Sequence, residues 1–136
     1  MERPLTVRLI PRVLSLVAVL FGLVTIIAGT RVLAGSDPGY NVFLPLLIYN
    51  IAMGVVYIAA GVTTWRNIIR GKNAAASIFV LNFLVLGIIG YLHMMGTSVA
   101  VESVLAMIFR TILWLMLYLG LAWVCRRKTL SGGQHA

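Results

Sequence analysis

Four apolar runs, each long enough to cross a bilayer, fill most of this 136-residue chain, and only short polar stretches separate them. A hydrocarbon core takes about 20 apolar residues in helical form. Hydrophobic residues make up 61% of the sequence, more apolar surface than a water-soluble domain of this length can hide. Lipid is therefore the expected solvent for much of it. In lipid every backbone amide must be satisfied internally, which leaves helices or a closed barrel. Barrel strands would alternate polar and apolar residues over short segments, whereas these runs are apolar all round. The expected fold is an all-α integral membrane protein. It is a single four-helix transmembrane bundle with spans at about 12–33, 42–65, 74–95 and 101–124, leaving no room for a soluble domain.

The basic residues orient that bundle. Arg3, Arg8 and Arg12 precede the first run, Arg66, Arg70 and Lys72 lie between the second and third, and Arg126, Arg127 and Lys128 follow the fourth. Lys and Arg concentrate at cytoplasmic helix ends, so both termini are expected inside. Short connections make neighbouring helices antiparallel, up-down-up-down. Size and topology suggest a bacterial inner (plasma) membrane. The net charge of +8 does not read as nucleic-acid binding, because the basic residues form no continuous face. They suit anionic lipid headgroups instead. The N-terminus mimics a signal peptide, but its apolar stretch from Val13 to Ala28 exceeds the usual length of a signal h-region. We read it as an uncleaved first span. Cys125 is the single cysteine, so no intrachain disulfide or thiolate metal cluster is available. It reads as an inert thiol rather than a palmitoylation site.

Local signals place the ends. Pro11 fits a first helical turn, and Ala34 to Gly39 is turn chemistry. Pro45 sits near the start of span two, whose helix can extend to Arg70 with Gly71 as its cap. Thr97 or Ser98 can cap span four, and the tail 126–136 is expected to be disordered. Trp65 and Trp123 form one aromatic belt, and Tyr40 with Tyr91 the other. Trp114, in the middle of span four, belongs to neither.

Small residues mark two helix faces. Ser15, Ala18, Gly22, Thr25 and Gly29 make a heptad seam in span one, and Asn50, Gly54, Tyr57 and Gly61 share a face of span two. Small residues let helix backbones approach in lipid, so these faces are expected against protein, within the chain or in a homodimer.

Orientation leaves two basic residues over; Arg31 can snorkel to the outer interface, and Arg110 is the one the membrane does not explain. It stands about nine residues, or about 13 Å, into span four. A charge there costs about 2.5–3.5 kcal/mol on insertion scales, so it should face the bundle. Its candidate company is Asn50, Asn82, His93 and Glu102, with Tyr49, Tyr57 and Trp114 as walls. Glu102 and Arg110 are eight apart on a drifting common face, and Asn82 and His93 are three turns apart on one side of span three. Three readings follow. The group ties helices together, with His93 and Glu102 favoured by helix dipoles; or it forms a pocket for the polar head of a lipid or quinone, with Arg110 as counter-charge; or Glu102, His93 and Arg110 line a proton or ion path. One His and one carboxylate fall short of a metal site, and no cofactor is named by the sequence. Only three acidic residues are present, with no elbow, triad or phosphate-loop motif.

The outline of four short-looped spans resembles the small multidrug-resistance transporters, which carry a functional glutamate in the first span; here that span has none, and Glu102 opens the fourth. It also resembles, in outline, the four-helix DoxX-type membrane proteins. The function expected from the residues is a small non-enzymatic membrane protein. It binds a membrane-protein partner or a lipid- or quinone-like ligand through its helix faces and the pocket around Arg110. The alternative is a homo-oligomeric transporter or channel.

Overall fold

The computed structural model describes residues 5–37, 39, 42–96 and 99–133, with side chains from 8 to 127. Four helices make it up: α1 (Leu5–Leu33), α2 (Leu44–Arg66), α3 (Ile68–Met94) and α4 (Val101–Gly133). All four are long and apolar enough to cross a membrane. Large side chains such as Leu20, Val24, Ile27, Leu84 and Ile88 are more than two-fifths exposed on the outside of the bundle, as lipid-facing residues must be.

Several boundaries differ from the sequence expectation. Helix α1 begins at Leu5, so Pro11 lies inside it rather than in its first turn. The proline lacks an N–H for the Val7 carbonyl, and the helix carries on through it. Helix α2 stops at Arg66, and a single extended residue, Asn67, separates it from α3. Asn67 terminates one helix and starts the next. Its N–H donates to the Thr63 carbonyl at 2.8 Å, and its Oδ1 accepts from the N–H groups of Ile69 (3.0 Å) and Arg70 (3.3 Å). That is N-cap chemistry, and it replaces the cap expected from Gly71. Gly71 instead lies within α3, where an added Cβ would fall on Thr64. Helix α4 runs on to Gly133, through most of the stretch expected as a disordered tail. Arg126, Arg127, Lys128 and Leu130 are good helix formers that extend the ladder past the apolar region. Thr97, Ser98, Tyr40 and the residues after Gly133 lie outside the described residues.

The small-residue faces meet. Pro11, Ser15, Ala18, Gly22, Thr25 and Gly29 are all buried. A Cβ added to Gly22 would lie 2.6 Å from the Gly54 carbonyl oxygen, and one added to Gly61 would lie 2.9 Å from the Ser15 carbonyl oxygen. The Ser15 hydroxyl donates to the Gly61 carbonyl. Nearer the α1–α2 connection, Gly29 abuts Ile51 and Leu47. Residue numbers thus fall along α2 as they rise along α1. The rest of the core is bulkier. Met53, Tyr57, Ile78, Trp114, Leu117 and Leu121 fill the middle and one end. Leu46, Ile89, Val99 and Met107 fill the end where α2 starts and α3 passes to α4.

Candidate functional site

The polar centre of the bundle is built on Asn82, which is completely buried in α3. An amide in lipid needs partners, and α2 supplies them. Tyr49 Oη donates to Asn82 Oδ1 at 2.8 Å. The Tyr57 hydroxyl either donates to the same oxygen at 3.3 Å or accepts from Asn82 Nδ2 at 3.2 Å. Tyr49 and Tyr57 are eight residues apart, just over two turns, so one face of α2 presents both phenols.

Aromatic rings enclose this amide. The Tyr57 ring lies 4.9 Å from Trp114 and 5.5 Å from Phe21, and Phe21 lies 6.0 Å from Phe109 (centroid distances). These separations are those of favourable aromatic pairs. Trp114, unexplained as a belt residue, is thus a core residue, only 2% exposed. Arg110 stands one turn before it on α4, half-buried. Its guanidinium is close enough to act electrostatically on both Tyr49 and Tyr57. Among the described residues, Trp114 Nε1, a donor, and Asn50 Oδ1, an acceptor, are sealed from solvent without a hydrogen-bond partner. Each orphaned group of this kind costs about 1–3 kcal/mol.

The sequence-derived candidates divide into two groups. Tyr57, Asn82 and Trp114 come together near the middle of their helices, Arg110 lies within electrostatic reach of Tyr57, and Asn50 carries a buried oxygen on α2. His93 and Glu102 are exposed. His93 Nδ1 lies 2.8 Å from the Val99 carbonyl oxygen, closing the turn between α3 and α4. Glu102 occupies the first turn of α4, where the helix dipole favours a carboxylate. Among the described residues no three of His, Cys, Asp and Glu gather as a metal site.

Two residues carry more of the site than the sequence reading gave them. Tyr49 is a direct ligand of the amide rather than a wall, and its spacing from Tyr57 was the available signal. Phe21 left no such signal, because it lies beside the small-residue seam of α1 and looks like any lipid-facing residue. Compared with known proteins, the chain matches no family model, no curated protein and no solved structure.

Proposed function

We propose that this is a small polytopic, non-enzymatic membrane protein that binds the polar head of a lipid- or quinone-like ligand at the Tyr49–Tyr57–Asn82–Trp114 centre, with Arg110 as the nearby positive charge. The observation that carries this reading is the orphaned Trp114 Nε1, whose ring packs on the hydrogen-bonded phenol–amide cluster, with Asn50 Oδ1 a second buried orphan on α2. A carbonyl-bearing head would accept from the indole, and a hydroxyl-bearing one would donate to Asn50. Arg110 would favour an anionic or strongly dipolar group, an effect amplified where the dielectric is low.

The same reading takes the bundle as up-down-up-down with both termini cytoplasmic in an inner (plasma) membrane, from the clustering of basic residues at one end. Transport through Glu102 and His93 is less well supported, because both are exposed at the far rim and His93 is engaged by Val99.

The test is lipid and quinone extraction from protein purified in mild detergent, read by mass spectrometry. Wild-type protein is expected to retain one class of polar-headed ligand, and Trp114→Phe and Arg110→Gln to lose most of it while staying folded. An identical extract from all three proteins would sink the proposal.

A further inference from the structure

A second polar site lies at the opposite end from His93 and Glu102, and nothing in the proposed ligand-binding centre uses it. Where α1 begins, α2 passes to α3 and α4 leaves the apolar region, a cleft of about 470 Å³ opens. Its walls include Arg8, Arg12, Trp65, Arg66, Asn67 and Cys125. The volume falls within the range of about 300–1,000 Å³ usual for small-ligand sites.

Its charge is one-sided. Arg8 and Arg12 are one turn apart on α1 and share a face, a spacing at which like charges repel. Arg66 adds a third guanidinium from the last turn of α2. The start of α3 contributes the positive end of its dipole. Among the described residues the carboxylates, Asp37 and Glu102, both belong to the other end of the bundle. Three arginines line the cleft, and among the described residues no carboxylate joins them; that set matches an external anion, and the planar Arg fork suits phosphate oxygens.

The depth of the cleft indicates what carries the phosphate. Arg12 lies over the Trp65 ring at 5.4 Å, and Arg127 lies over Trp123 at 4.9 Å. Trp65 is 54% exposed. Tryptophan rings paired with basic side chains sit at headgroup level, and basic pockets between transmembrane helices bind anionic lipid heads. We propose that this cleft is a phosphate-binding site that takes the headgroup of an anionic phospholipid, held by Arg8, Arg12 and Arg66.

Cys125 makes the test direct, because it lines the cleft and is the single cysteine of the sequence. The full chain is placed in nanodiscs of phosphatidylcholine, alone or with phosphatidylglycerol, and the rate of Cys125 alkylation by N-ethylmaleimide is measured. Phosphatidylglycerol is expected to slow alkylation several-fold, as anionic headgroups gather at a basic cleft and cover it. Arg8→Gln combined with Arg66→Gln should abolish the protection. Arg126→Gln combined with Arg127→Gln removes equal charge outside the cleft and should keep it. If the first pair does not fold, Arg66→Lys, which keeps the charge but loses the fork, should reduce the protection several-fold. Protection by inorganic phosphate in phosphatidylcholine discs would support the same site with a soluble source for the anion. No protection by either probe, or equal loss in both double variants, overturns the proposal.

Discussion

Toward α1, helix α2 presents Gly54 and Gly61; toward α3 and α4 it presents Tyr49 and Tyr57. On the first side, backbone approaches backbone, with the Gly54 carbonyl oxygen 2.6 Å from where a Cβ on Gly22 would sit. On the second, phenols reach a buried amide and a ring packs on an indole. Lipid supplies no hydrophobic drive between helices, so each side needs another source of attraction. The glycine side has dispersion at close range and one hydroxyl bond from Ser15. The aromatic side has hydrogen bonds and ring contacts. It follows that the first interface is damaged by adding atoms and the second by removing polar ones.

The sharpest way to break this contrast is Gly22→Leu. The side chain would collide with Gly54 and Ile58, and a loss of about 3 kcal/mol in unfolding free energy is expected. Steric-trapping measurements in bicelles would detect it; near-neutrality would mean that α1 and α2 are not held at this distance. Asn82→Leu should follow at about 2 kcal/mol, because two hydroxyls lose their shared partner. Tyr49→Phe in the Asn82→Leu background should then cost almost nothing, whereas an undiminished Tyr49 effect would show that the phenol has another role. Asn67→Ala should cost about 1 kcal/mol as a lost cap, with hydrogen exchange rising at Ile69 and Arg70. Glu102→Gln should change stability by less than about 0.5 kcal/mol, as exposed changes do. A larger loss would bring Glu102 back into the buried site.

How much of this was legible in the sequence depended on what each signal measures. The seam of α1 was readable because its small residues repeat along one helix and that repeat fixes a face. Asn82 was readable because an amide in lipid has to be covered. His93 lies three turns on from Asn82, which puts it on the same side of α3, yet it is exposed. Periodicity gives a direction around the helix axis; it does not say how far along the axis a neighbour still covers that direction. At the last turn of α3 the ring instead closes on the Val99 carbonyl. Tyr49 reads from the sequence as a wall of the pocket; that it bonds Asn82 depends on which face of α2 meets α3. The end of span two near Trp65 agrees with α2 stopping at Arg66; the extension to a Gly71 cap does not occur, because the lack of a side chain at Gly71 serves the approach of Thr64 instead. The cleft among Arg8, Arg12 and Arg66 was invisible as a cavity, since the same arginines already had a sufficient reason to be there.

The one-residue connection at Asn67 also bears on how the chain enters a membrane. Alone in lipid, α3 would carry Asn82 with no partner from another helix, an arrangement that costs free energy for as long as it lasts. With α2 attached through a single residue, Tyr57 and Tyr49 are within one helix length of that amide as soon as α3 is made. The two helices are thus suited to leave the insertion machinery as a hairpin, with the amide already in hand. Lengthening the connection would let them part company during synthesis, and its first consequence would be a lower yield of inserted protein rather than a changed fold.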